Sequence, residues 1–153
     1  MVAKVKFEDF HAVVMSHADA LADRGYVHND SEFVHDVEFT KAIEPGIDCT
    51  VMFQWMDRGG FAPANEFNVV FRRLRSLDAK GDVAAYINVQ MGLRNLLRGV
   101  YGQDPLPKDH FAYWTFQTEA ELRKRLEEVE PLIMEYGIPW LEDPNSNLDW
   151  TLK

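Results

Sequence analysis

The segment TEAELRKRLEEVEPLIMEYGIPW, residues 118–140, reads as one amphipathic helix with a marked start and a marked stop. Thr118 followed three residues on by Glu121 is a capping box, in which the hydroxyl accepts a first-turn N–H and the carboxylate reaches back to the cap. Leu122, Leu126, Val129, Ile133 and Tyr136 then recur at steps of four and three, an apolar stripe that requires a core to face. Gly137 suits the left-handed residue that ends a helix, and Pro139 cannot continue one. Pro131 is the conflict inside the run, because it removes a helical hydrogen bond and clashes one turn back, so a kink is expected near Glu127.

Working outward, Phe7, Phe10, Val14, His17 and Leu21 repeat at helical spacing as far as Gly25, which gives an N-terminal helix. After a turn around Asn29-Asp30-Ser31, the segment from Glu32 to Thr40 carries Phe33, His35, Val37 and Phe39 on one side of a strand. Pro45-Gly46 is a turn signal. Ile47, Cys49, Val51, Phe53 and Trp55 then alternate with Asp48, Thr50, Met52, Gln54 and Met56, the clearest strand in the chain. Asp57-Arg58-Gly59-Gly60 and Pro63 break it, and Phe67, Val69 and Phe71 open a third strand. The run from Val83 to Val100 fits a strand period at first, but its length exceeds a usual strand and favours a helix. His110 to Phe116 supplies a short aromatic strand. The expected fold is α+β: a four-stranded, mainly antiparallel sheet packed by N-terminal, middle and C-terminal helices, with residues 141–153 an irregular tail unless Trp150 pins them.

The chain of 153 residues suits a single domain, and one of this length buries roughly 70% of its unfolded surface. A hydrophobic content of 46% with ten Phe and four Trp is that of a packed domain rather than a disordered one. A formal charge of −9 argues against a general nucleic-acid binder, whose affinity comes from cations that displace counterions. Arg72, Arg73 and Arg75 form one local basic cluster, read as solvated charge near carboxylates. The single Cys49 allows no internal disulfide, and its place in an apolar row predicts a buried, inert thiol. No apolar run approaches membrane-spanning length, and a cytoplasmic protein is expected.

The order of a helix ending at Gly25-Tyr26, a strand meander, Gly92-Leu93-Arg94, an aromatic strand at Tyr113-Trp114 and a closing Gly-Ile-Pro-Trp-Leu-Glu resembles a bacterial family of small proteins labelled only as a domain of unknown function. The resemblance spans nearly the whole chain. It implies the fold and transfers no catalytic residue.

Residues with chemical potential are scattered. His28, Asp30, His35 and Asp36 have ligand-type side chains, but their spacing matches no compact motif, so neither a metal nor a cofactor is expected. His17 lies on an apolar helix face and reads as a hydrogen-bonded core residue. Asp109-His110 forms an acid/base pair only if a cleft converges on it. Met52 and Met56 are adaptable apolar contacts of the sort used in recognition. Two function classes follow. The favoured one is a noncatalytic acidic interaction module, with a basic protein or a second copy of the chain as partner. The alternative is a small-molecule binder or hydrolytic enzyme, with His35, Asp48, Asp57, Arg58 and His110 lining a groove between sheet and helices.

Overall fold

The computed structural model describes residues 5–30, 35–56, 65–76, 85–106 and 114–146. Its chain order is α1 (Phe7–Ser16), α2 (Asp19–Asp23), β1 (Val27–Asn29), β2 (Asp36–Glu44), β3 (Ile47–Met56), β4 (Asn65–Ser76), β5 (Ala85–Gly92), α3 (Leu93–Val100), β6 (Trp114–Phe116), α4 (Glu119–Leu132), a π-helical segment (Ile133–Gly137) and α5 (Ile138–Glu142). The α+β class and the antiparallel sheet are as expected, but among the described residues the sheet has six strands instead of four. β1 to β5 lie side by side in chain order. β6 joins the edge of β4 that β5 leaves free, pairing Phe67 with Trp114 while β5 pairs from Val70 to Ser76.

The two extra strands arise where local signals overlap. β1 occupies Val27–Asn29, read from sequence as the approach to a turn, and pairs His28 with Phe39. β5 occupies the first half of the run expected to be helical, and α3 begins directly after it. The alternation of Ile87, Val89 and Met91 is a strand pattern, while Leu93, Leu96 and Leu97 are a helix pattern, so the run is long because it holds two elements.

The N-terminal helix is divided as well. Ser16 Oγ donates to the Val13 carbonyl at 2.7 Å and His17 Nδ1 lies 3.0 Å from the same oxygen, side-chain bonds that compete with the backbone ladder and end α1. α2 closes as the sequence implies. Gly25 takes φ +91°, Tyr26 N–H donates to the Leu21 carbonyl and Gly25 N–H to that of Ala22, the two bonds of a Schellman stop.

The described helices pack on one face of the sheet. Phe10, Val14, Leu122, Leu126 and Val129 meet Val51, Phe53, Phe67 and Phe71 in one core. The closing helix departs most from expectation. Thr118 caps α4 as predicted, its hydroxyl accepting the Glu121 N–H at 3.1 Å. The return arm differs, since the Glu121 carboxylate accepts from Gln117 N–H. Helix geometry continues through Pro131, and the deviation comes after it, in the π-helical segment. Gly137 has φ −70° and no left-handed turn, and the chain continues into α5 with Pro139 in its first turn, where a missing N–H is least costly. A Cβ on Gly137 would stand 2.2 Å from Cζ of Phe71, so glycine is there to let the helix touch the sheet.

The segment after α5 is anchored by Arg73, whose side chain is fully buried instead of solvated. Its guanidinium donates to the carbonyls of Leu141, Asp143 and Ser146 and to Asn88 Oδ1. Carbonyls left over at a helix end need donors, and Arg73 supplies them. Trp150, the expected anchor, lies outside the described residues.

Candidate functional site

Of the five sequence candidates, the two among the described residues, His35 and Asp48, do not come together. His35 stands at the end of the sheet on its helix side, with ring centroids 5.5 Å from Phe7 and 5.0 Å from Trp55. Asp48 is exposed at the other end of β3 and projects from the opposite face, between Ala42 and Leu74. Seven strand steps between Asp48 and Trp55 amount to about 23 Å. Asp57, Arg58 and His110 lie outside the described residues. Between sheet and helices, Val14, His17, Phe53, Leu126 and Ile133 line a cavity of only about 20 Å³, the room of a water molecule. Cys49 Sγ donates to the Leu141 carbonyl at 3.5 Å, and burial pushes its thiol up to about 12. That thiol is packing, as expected.

The face of the sheet away from the helices carries a different arrangement. Alternation places Glu38 and Thr40 of β2, Thr50, Met52 and Gln54 of β3, Asn68, Val70 and Arg72 of β4, and Gln90 and Gly92 of β5 on it. Its β1–β2 side satisfies itself. Thr40 Oγ1 donates to Asn29 Oδ1 at 2.9 Å and lies 3.2 Å from Thr50 Oγ1, while Asn29 Nδ2 approaches Glu38 Oε2 at 3.4 Å. Arg72 Nη2 stands 3.9 Å from Glu38 Oε1. Burial first and the Glu38 charge second raise the Asp36 carboxyl above its usual value. Met52 is buried in this surface, and Met56 half-buried.

Toward β5 and α3 the surface opens into a groove of about 520 Å³, lined by Gln54, Asn68, Val70, Gln90, Met91, Gly92 and Asn95. None of these seven is charged, although 27% of the chain is. Four different elements each contribute one carboxamide: β3, β4, β5 and α3. Among the described residues, none of the four carboxamides makes a side-chain hydrogen bond within the protein. Gln54 and Asn68 are directly paired across β3 and β4, and Gln90 and Gly92 are two residues apart on one face of β5. Gly92 is the joint: extended at φ −70° and ψ 151°, it is the last residue of β5 and the cap of α3. A Cβ there would come within 3.4 Å of both amide atoms of Asn68, so the missing side chain helps keep the groove open.

Gln54 falls on the polar side of its strand by the sequence alternation, and Asn68 lies between the apolar Phe67 and Val69, but nothing in the pattern marks either for a role. Gln90 and Asn95 were hidden by the helical reading of residues 83–100. Among the described residues, no cluster of three ligand-type side chains suits a metal ion, and no helix is long and apolar enough to cross a membrane. Comparison with protein families, with curated proteins and with solved structures finds no match for this chain.

Proposed function

We propose that the protein is a noncatalytic binding module whose recognition surface is the groove on the face of its sheet away from the helices. The observation that carries this reading is the convergence on one concavity of four carboxamides without side-chain partners among the described residues. Buried polar side chains normally find partners; Gln54 and Asn68, half-buried, and Gln90 and Asn95, exposed, leave theirs to solvent or to a ligand. The volume is in the range of small-molecule sites, roughly 300–1,000 Å³. Binding is favoured over catalysis because catalysis requires an acid, base or nucleophile within reach of the bound group, and the described residues of the lining include none.

A second reading concerns the helix side. Glu8, Asp9, Asp19, Asp23, Glu127 and Glu135 are exposed there and stand outside every ion pair of the described residues. With the net charge of −9, they favour a basic protein as macromolecular partner. Native mass spectrometry of the chain purified from its own host at low salt addresses both. A bound small molecule retained by the wild type and lost from Gly92→Val supports the groove. A basic protein released by added salt supports the helix side. A chain that carries neither, with the same mass for variant and wild type, removes both readings, and that mass also states whether the chain pairs with itself.

A further inference from the structure

We infer that the groove takes an uncharged planar heterocycle whose edge presents an amide-type donor and acceptor side by side, the chemistry of a nucleobase, free or as a nucleoside. This rests on the binding reading and names its ligand class. A carboxamide holds an N–H donor and a carbonyl acceptor in one plane, and so meets an amide-like edge with two parallel hydrogen bonds. Four such groups around one groove match a ring rich in edges of this kind better than an ion, to which the described residues of the lining, none of them charged, offer no counter-charge. The floor favours a flat occupant. Val70 is almost fully buried in the sheet, and Gly92 leaves bare backbone beside it.

Two neighbouring ligand classes fit less well. Among the described residues, a phosphorylated ligand meets no Lys or Arg in the lining, Arg72 beside Gln90 already facing Glu38, and it meets a protein of net charge −9, so a nucleoside is favoured over its nucleotide and over a polynucleotide. A saccharide presents separate hydroxyls instead of a planar amide edge, and so uses the paired donor and acceptor of each carboxamide less fully.

The test follows the side-chain NH₂ resonances of Gln54, Asn68, Gln90 and Asn95 in the full chain. Adenosine, guanosine, cytidine and uridine are titrated separately, with ribose, AMP and a low-molecular-mass extract of the host as further arms. The expected result is a saturable shift of these resonances by at least one nucleoside, none by ribose, and binding weaker by about tenfold for AMP than for adenosine. Gly92→Val should lose the response while keeping the dispersed spectrum of a folded protein, since φ −70° and ψ 151° are open to any residue. Equal shifts by ribose and nucleosides would overturn the inference in favour of a saccharide. Shifts by the extract alone would overturn the nucleobase assignment and leave the binding reading standing. No shift in any arm would remove both.

Discussion

Gly137 and Cys49 each turn on what a single side chain meets in the core. The ring of Phe71 occupies the space a Cβ on Gly137 would need, with three ring atoms between 2.2 and 2.9 Å. Gly137→Ala should therefore destabilise the protein by about 1–3 kcal/mol despite the better helix propensity of alanine. Urea unfolding reads the loss, and adding Phe71→Leu should recover part of it because the two sites are in contact. An alanine variant as stable as wild type would show that the helix does not rest on that ring. Cys49 makes a pH prediction. Its thiol is held protonated in the fold up to about 12 by burial, above an ordinary value of 9.0. The unfolded chain ionises first, so the stabilisation is complete below about 9 and declines as pH rises toward 12. From pH 8 to pH 10 the wild type should lose about 1.4 kcal/mol more than Cys49→Ala, read as the change in urea midpoints. Tyr26 is raised by burial first and by Cys49 second; burial persists in Cys49→Ala and keeps the phenol protonated in both folded proteins over this range, so its contribution to the difference is small. Identical losses would mean that the thiol ionises in the native state as readily as in the unfolded chain.

At the level of elements, the closing helix shows what sequence rules read well and what they do not. Its start is legible because a cap is local: Thr118 and Glu121 need only their own backbone. Thr118→Ala should cost about 1 kcal/mol, with thermal unfolding as the measurement, and no change in midpoint would mean that packing of α4 alone sets its start. Its end is not legible, because Gly137 serves a contact with Phe71, a residue 66 positions earlier in the chain. A glycine that relieves a clash looks, in sequence, the same as one that turns left-handed. Gly25 is the contrasting case, where positive φ and two closing hydrogen bonds match the local signal. The β5–α3 junction failed for another reason. Gly92 joins a strand and a helix without an intervening loop, so neither period is interrupted by turn residues and the length rule was applied to the sum of two elements. Arg73 belongs with Gly137: a basic residue in a strand is read as solvated until the helix end that needs its donors is seen above it.

At the scale of the whole molecule, the candidate groove was out of reach of sequence for the same cause. Gln54, Asn68, Gln90 and Asn95 carry no catalytic signature and are brought together only by the register of three strands and the helix that follows them. Net charge, by contrast, is fully legible and makes its own prediction. The exposed pairs Arg123–Glu119 and Arg125–Glu128, at 2.9 and 3.1 Å, contribute little each, roughly 0.3–0.5 kcal/mol for helix pairs, and salt weakens them. Against them stands the self-repulsion of a chain at −9, much of it spread over surface carboxylates. Raising NaCl from about 0.02 M to about 0.5 M shortens the screening length from roughly 20 Å to roughly 4 Å. Repulsion summed over long distances is removed first, while a pair in contact keeps part of its attraction. The melting temperature should therefore rise by a few degrees with NaCl, and the rise should shrink in a variant that neutralises Glu8, Asp9, Asp19 and Asp23. A fall in melting temperature would mean that attractive pairs outweigh the net charge, and would weaken the acidic helix side as the place where a basic partner docks.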